Sequence, residues 1–263
     1  MVWQALKVQE CLILYRLKEL KQEFQLSLSL LSRLPFGKLT DPIPSISNSC
    51  WAFPICGVII GLIIFVSFCL FLYLKIPLFI SAIFALTIGI LTTGGIHEDG
   101  LADTCDGVFG GRSIKSKLSI MKDSNIGTYG VLSLIIIFSL RVFILSEYEV
   151  SMYGFLSFIS IAAASRLGMV FILFYLPPAK TKGLGFYAQV LNYRSFISAC
   201  IISVLLLSLN NILGLYIIFF MSFILLVIMY ISWKNIKGQT GDICGASQQI
   251  TETSGWFIFI CLS

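Results

Sequence analysis

The chain has 263 residues, 57% of them hydrophobic and 12% charged, with a formal net charge of +5 and a mean hydropathy of +0.94. Soluble domains carry about 25% charged residues, so this composition excludes an ordinary water-soluble domain. Repeated apolar runs near 20 residues predict an all-α polytopic membrane bundle, and the length suits about six spans in a single membrane domain, 1–263.

In chain order, residues 1–50 form an amphipathic N-terminal segment. Leu6, Ile13, Leu17, Leu20, Phe24, Leu28 and Leu31 recur at helical spacing among Lys7, Lys18, Lys21 and Glu23. Such a helix lies either on the cytoplasmic leaflet or against the protein's own cytoplasmic face. It is not read as a cleavable signal, because no uncharged apolar core follows the start. Pro35, Pro42, Pro44 and Pro54 break the chain before the first span. The predicted spans are roughly 54–74, 76–96, 128–146, 152–176, 196–210 and 212–232. The boundary between the last two falls at Asn210-Asn211. The loops sort by charge. The N-terminal segment, loop 97–127, loop 177–195 (Lys180, Lys182, Arg194) and the polar segment 233–254 hold the basic residues, and the opposite loops hold only Lys75. The positive-inside rule therefore makes the first set cytoplasmic. The closing stretch, 255–262, is apolar but too short to span, and reads as re-entrant, interfacial or the remnant of a seventh helix. The eight cysteines show no CxxC pair or zinc spacing, which predicts free thiols.

The chemistry concentrates at His97-Glu98-Asp99-Gly100-Leu101-Ala102-Asp103-Thr104-Cys105-Asp106, four carboxylates and the only histidine within ten residues. Carboxylates at a membrane boundary are costly and are usually functional. Asp99, Asp103 and Asp106 fall at i, i+4 and i+7, one face of a helix. Like charges on one stripe repel unless some are protonated or a cation sits among them, and a divalent ion with oxygen ligands is the simplest resolution. His97 is a base, a ligand or a lining residue. Downstream come Gly107, Gly110, Gly111, Arg112, Lys115, Lys117 and Lys122, then Asp123. Residues 113–122 read as a short helix. Glycines let a backbone approach phosphate oxygens, and cations complement their charge. Acids followed by glycines and bases describe a metal–diphosphate site, although turn glycines and topology-setting lysines would look the same.

Two arginines fall inside predicted spans, Arg141 and Arg166, at a cost of at least roughly 2.5–3.5 kcal/mol each on insertion scales. Arg166 follows Ala162-Ala163-Ala164-Ser165, a run suited to close helix packing. It is expected to face the bundle interior, paired with an acid or a substrate phosphate. An interior salt bridge is the plain alternative for Arg141. If the chain is helical from Asp242, then Asp242, Gln249 and Glu252 share a face with Gly245 and Ala246. That face is either a second set of acids or a polar surface helix.

The segments Thr93-Gly94-Gly95-Ile96-His97-Glu98-Asp99-Gly100-Leu101-Ala102-Asp103-Thr104-Cys105-Asp106-Gly107 and Ile120-Met121-Lys122-Asp123-Ser124-Asn125-Ile126-Gly127-Thr128-Tyr129-Gly130 resemble the cobalamin synthase (adenosylcobinamide-GDP ribazoletransferase) family. The resemblance extends to Leu31-Ser32-Arg33-Leu34-Pro35, Ser165-Arg166 and Thr240-Gly241-Asp242-Ile243-Cys244-Gly245-Ala246 with Glu252. Departures are small: Cys105 and Phe109 stand where the family varies, and the C-terminus is short. The resemblance implies a Mg²⁺-dependent transferase of cobalamin biosynthesis in a prokaryotic inner membrane, with its active site toward the cytoplasm. Such an enzyme joins adenosylcobinamide-GDP to α-ribazole or its 5′-phosphate and releases GMP. Its partners are these substrates and the lipid bilayer, with no nucleic acid, and it acts either as a homo-oligomer or beside other cobalamin-assembly enzymes. On this reading Asp99, Asp103 and Asp106 hold metal. Lys122 and Arg166, with Arg112, Gly110 and Gly111, meet phosphate. Glu98, Asp106 or Asp123 takes the proton of the attacking ribose hydroxyl, and Asp242, Glu252 and Arg141 are secondary candidates. Two rivals fit less well. A CDP-alcohol phosphotransferase wants Arg after Ala102, where Asp103 stands. A divalent-cation transporter wants acids along its path, yet no predicted span holds one.

Overall fold

The computed structural model describes residues 2–181, 183–187 and 192–263; Lys182, and the side chains of Leu6 and Lys7, lie outside it. Among the described residues the regular elements are all helical. They are α1 (Val2–Leu31), α2 (Ile46–Ser49), a 3-10 turn (Cys50–Ala52), α3 (Phe53–Tyr73), α4 (Leu78–Thr93), α5 (Ile96–Gly110), α6 (Ile114–Ile120), α7 (Thr128–Glu147), α8 (Met152–Tyr175), α9 (Leu184–Tyr187), α10 (Tyr193–Ser208), α11 (Asn211–Ile236) and α12 (Gly241–Leu262).

Four helical stretches are long and apolar enough to cross a membrane: Ile46–Tyr73, Thr128–Glu147, Met152–Tyr175 and Asn211–Ile236. A fifth arises if α4 and α5 count as one broken span, while α10 is a shorter apolar helix. All six predicted spans thus exist as helices. At 16 residues each, α4 and α10 extend only about 24 Å. The predicted break at Asn210-Asn211 is real: Asn211 adopts a positive φ of 53°, and buried Asn210 donates through Nδ2 to Ser160 Oγ at 2.8 Å.

Local chemistry fixes the other ends. Ser151, Asn192 and Thr240 accept, through their side chains, from the first free backbone amides of α8, α10 and α12. The helix α8 runs through the middle, with 78% of its most apolar window buried. Its Ala162-Ala163 backbone abuts Gly57 of α3, where any Cβ would strike Ala163 Cα at 2.8 Å. Small residues here allow the two helices to touch along their length.

The second half of α1 packs onto the bundle. Leu28 and Leu31 are buried with Phe53 and Cys56, and Glu23 Oε2 accepts from Trp51 Nε1 at 2.7 Å. Its earlier Ile13, Leu14, Tyr15 and Leu17 stay exposed, so it is the second half of α1 that lies against the protein's own face.

The stretch 255–262 is not a separate element. It continues the polar residues from Asp242 onward as one 22-residue helix, α12, packed against α5, α8 and α11. Its apolar end stacks Trp256 on Phe158 at 4.2 Å and Phe259 on Tyr148 at 4.8 Å. This aromatic core closes one end of the bundle, and the site lies above it.

Candidate active site at the junction of α5 and α12

The acidic segment is a helix, and its direction is set by two glycines. Gly94 and Gly95 both adopt left-handed backbone, with φ of 70° and 71°, a conformation nearly free for glycine and strained for other residues. The chain turns by 88° there, so α5 leaves the line of α4 and runs along the boundary of the apolar bundle rather than through it. Arg33 lies over the turn: its backbone amide donates to Thr92 O at 2.7 Å, and its side chain fills the space beside Gly94.

A glycine-to-glycine crossing then brings α5 onto α12. A Cβ at Gly100 would meet Asp242 O at 2.8 Å and Gly245 Cα at 3.2 Å, and one at Gly245 would meet His97 Cα at 3.2 Å. Because the backbones touch, Asp99 and Asp103 face Asp242 of the other helix. Asp242 also receives Lys180 Nζ at 3.5 Å and the Thr240 hydroxyl at 3.1 Å. Partial burial, then the neighbouring charges of Asp99 and Asp242, push the Asp103 carboxyl up to about 6. His97 is buried, and its pKa is held well below the usual range by desolvation and by the charges of Arg166 and Arg141. The imidazole is therefore neutral near pH 7, and its Nε2 has no partner.

Deeper along α12 sits a fully buried charge cluster. Glu252 accepts from Arg141 Nη2, from Arg166 Nη1, from Ser165 Oγ at 2.9 Å and from Gln248 Nε2 at 2.8 Å. Arg166 Nη1 also donates to Ser165 Oγ and Ala162 O, and the Arg141 guanidinium lies 4.7 Å from the Trp256 ring centroid. Gln249 links the two levels: its Oε1 accepts from Arg141 Nη1 at 2.5 Å and its Nε2 donates to Glu98 Oε1 at 2.8 Å. The other Glu98 oxygen, Oε2, is buried without a partner. Two cavities flank the first turn of α5, and His97 lines both. One, of about 250 Å³, holds Asp99, Asp242, Gly241 and Gly245 under the end of α1. The other, of about 260 Å³, lies between α3, α4, α7, α8 and α12.

Comparison with known proteins identifies what these elements belong to. Residues 23–260 match the cobalamin-5-phosphate synthase family. A protein from Xanthobacter autotrophicus named adenosylcobinamide-GDP ribazoletransferase is 37% identical over 249 residues, covering 89% of this chain and 94% of its own. Proteins of the same name from Bradyrhizobium diazoefficiens and Mesorhizobium japonicum are 34% and 31% identical, covering 88% and 89% of this chain and 90% and 91% of their own. This chain belongs to the cobalamin-5-phosphate synthase family. No solved structure matches it.

In this cobalamin-5-phosphate synthase family member the predicted site residues divide into three groups. Asp99, Asp103, Glu98 and His97 gather with Asp242 where α5 meets α12. Arg141, Arg166 and Glu252 form the deeper cluster, so Arg166 is spent on an acid, and the salt-bridge alternative holds for Arg141.

The remaining residues lie elsewhere. Asp106 turns away from the stripe: its Oδ2 accepts from Gly127 N at 2.7 Å and its Oδ1 from Gly130 N at 2.9 Å. It thereby caps the N-terminus of α7 from a neighbouring helix, where a carboxylate meets two of the free amides and the positive end of the dipole. The expected three-carboxylate set is not assembled, and no group of three or more His, Cys, Asp or Glu among the described residues is placed to hold one ion. Asp123 is exposed and accepts from Asn125 N and Nδ2 in a local turn. Gly111 packs against Lys117, whose backbone N would lie 2.8 Å from a Cβ there. Gly110 faces only Ile120, at an ordinary 3.6 Å from such a Cβ. Both glycines therefore serve the α5–α6 turn, and Arg112 and Lys122 are exposed.

Lys180 joins the site without having been singled out beforehand, and Gln249, read only as a member of the α12 face, proves to be the link between its two levels. Lys180 served only as a topology signal. Glu252 lies in α12, about 15 Å from Asp242 at 1.5 Å per residue, so an interior carboxylate exists where the span assignment had none.

Proposed function

We propose that this chain joins adenosylcobinamide-GDP to α-ribazole, or to α-ribazole 5′-phosphate, and releases GMP. The observation that carries the reading is the family match over 23–260, whose acidic segment lies on α5 and packs through Gly100 onto Gly245 and Asp242. The distribution of Lys and Arg among the loops supports an orientation with this face toward the cytoplasm, and the bacterial sources of the relatives support a prokaryotic inner membrane.

The donor set fits Mg²⁺ in its common mode, one or two carboxylates plus substrate phosphate oxygens rather than an all-protein cage. Asp99 and Asp103 would hold it, and the crowding that keeps a proton on Asp103 up to about pH 6 is the kind of repulsion a cation relieves. When bound, Mg²⁺ would neutralise diphosphate charge and the departing phosphate. Lys180, paired with Asp242, is the cation nearest the acids; exposed Lys122 and Arg112 on the loop after α5 are the further ones on this face. Glu98, held through Oε1 by Gln249 and free at Oε2, accepts the proton of the attacking ribose hydroxyl. That oxygen forms the new bond to the phosphorus carried by cobinamide, the bond from this phosphorus to the bridging oxygen breaks, and GMP leaves with the oxygen.

The test incubates membranes containing the protein with adenosylcobinamide-GDP, α-ribazole and Mg²⁺, with and without EDTA. Release of GMP that stops with EDTA is expected; absent or metal-independent release overturns the reading.

A further inference from the structure

The cavity between α3, α4, α7, α8 and α12 has a composition that selects its occupant. Its walls are Ile60, Ile64, Leu86, Ile90, Ile137 and Phe138, and its polar end carries His97, Glu98, Arg141, Arg166, Gln249 and Glu252. Four polar atoms at that end are buried without partners: His97 Nε2, Glu98 Oε2, Arg141 Nε and Arg166 Nε. His97 and Arg166 are each only 2% exposed, so no bulk water satisfies them, and a buried polar group left unmet is costly. The end is built to meet a polar partner.

Charge and size narrow that partner. The two guanidiniums are balanced by the carboxylates of Glu98 and Glu252, so the pocket has no spare positive charge for a phosphate. An acyl chain would suit the walls but leave all four polar atoms unpaired. At about 260 Å³ the space exceeds the roughly 150 Å³ cavity that takes up benzene and falls just below the roughly 300–1,000 Å³ of pockets for drug-sized ligands. One or two aromatic rings fit; a corrin does not. A guanine would set its several donors and acceptors against Ile, Leu and Phe. A neutral azole with an apolar carbocyclic edge and, at the other edge, one accepting ring nitrogen beside the one that carries the ribose matches both halves.

We infer that this cavity binds the neutral aromatic azole base of the ribazole acceptor, with its one unsubstituted ring nitrogen accepting from the unpartnered Nε–H of Arg141 or Arg166, the ribose-bearing nitrogen toward His97, and the carbocycle against Ile90, Ile137 and Phe138. The inference rests on the transferase reading above and extends it. The base sits on the bundle side of α5's first turn, and the ribose emerges past Glu98 and past His97, the residue that lines both this cavity and the one holding Asp99 and Asp242. The phosphate acceptor, where present, stays outside with the cations.

The test uses the full-length protein in detergent and benzimidazole alone as probe, titrated calorimetrically, so that binding is read without turnover. Benzimidazole should bind, compete with α-ribazole and not with adenosylcobinamide-GDP. Filling the cavity with Ile137→Trp should weaken benzimidazole and raise KM for α-ribazole at least tenfold, leaving KM for the corrinoid within twofold. Leu134 also lines the cavity; enlarging it with Leu134→Ala should improve binding of naphthimidazole relative to benzimidazole by fivefold or more, and this variant decides should Ile137→Trp not fold. Competition with the corrinoid substrate instead, or benzimidazole binding that is absent or indifferent to both changes, overturns the inference. A wild-type protein that binds benzimidazole in this way but forms no product leaves the cavity assignment standing and removes the transferase reading.

Discussion

Replacing Glu252 by Gln keeps shape but removes the one charge shared by two buried arginines. In the native protein Glu252 accepts from Arg141, Arg166, Ser165 and Gln248 and is completely buried. Arg141 retains Gln249 and the Trp256 face. Arg166, 2% exposed, keeps only the Ser165 hydroxyl and the Ala162 carbonyl, so it is the stranded charge. Breaking a buried pair on one side costs about 3–5 kcal/mol, whereas replacing the whole pair by apolar groups of similar volume is often neutral. At roughly 2–4 °C per kcal/mol for a chain of this size, the Glu252→Gln midpoint should fall by about 6–20 °C. The double variant Glu252→Gln/Arg166→Met should recover at least half of that loss. Thermal unfolding of purified protein, followed by intrinsic fluorescence, measures both. A single variant as stable as wild type, or a double variant whose losses simply add, refutes the reasoning, because then the cluster is not acting as one electrostatic unit.

Three further outcomes follow from the geometry. Gly100→Ala drives a Cβ into Asp242 O and Cα, backbone that cannot move aside, and GMP release should fall at least tenfold; Gly110→Ala meets only Ile120 Cδ1 at 3.6 Å and should keep more than half. Asp106→Ala removes the acceptor for Gly127 N and Gly130 N, so stability should drop by about 1–2 kcal/mol, with the Mg²⁺ concentration for half-maximal rate unchanged; a shift in that concentration would return Asp106 to the metal set. Asp103 has a folded pKa of about 6 against an ordinary 3.8, so the folded state holds this proton more tightly than the unfolded chain. Its contribution is full below about pH 4 and is lost as pH rises through about 6, and the thermal midpoint in EDTA should decline across that window in wild type and not in Asp103→Asn. At neutral pH, Mg²⁺ should raise the midpoint of wild type, whereas Asp103→Asn should show neither that rise nor turnover.

Much of the architecture is local, and local features are legible in a sequence. The spans follow from apolar runs, whereas the capping roles of Ser151, Asn192 and Thr240 at their ends emerged only with the structure. The helix bearing Asp99 and Asp103 follows from spacing alone. The buried cluster was half legible: Arg141 and Arg166 announced that counter-charges must exist, and the face shared by Asp242, Gln249 and Glu252 offered them. Where that face would land was not written in its own segment. Polar residues from Gly238 to Glu252 look like a surface helix until α5 and α8 are packed around them.

The sequence by itself determined an all-α membrane bundle, the acidic helix at the edge of an apolar run, and, through an unusually long motif, the family. These rest on periodicity, composition and contiguous residues, which need no knowledge of distant contacts. The tertiary structure decided how the acids are used. A stripe of three carboxylates on one helix is a statement about spacing, but each carboxylate answers to whatever packs against it. Asp106 meets the free amides of α7 and becomes a cap, Asp103 meets Asp242 and is left short of counter-charge, and Glu98 meets Gln249 and keeps one oxygen unspent. Those partners lie from 21 to 151 residues away in the chain, and only the fold, through contacts as close as Gly100 against Gly245, brings them together.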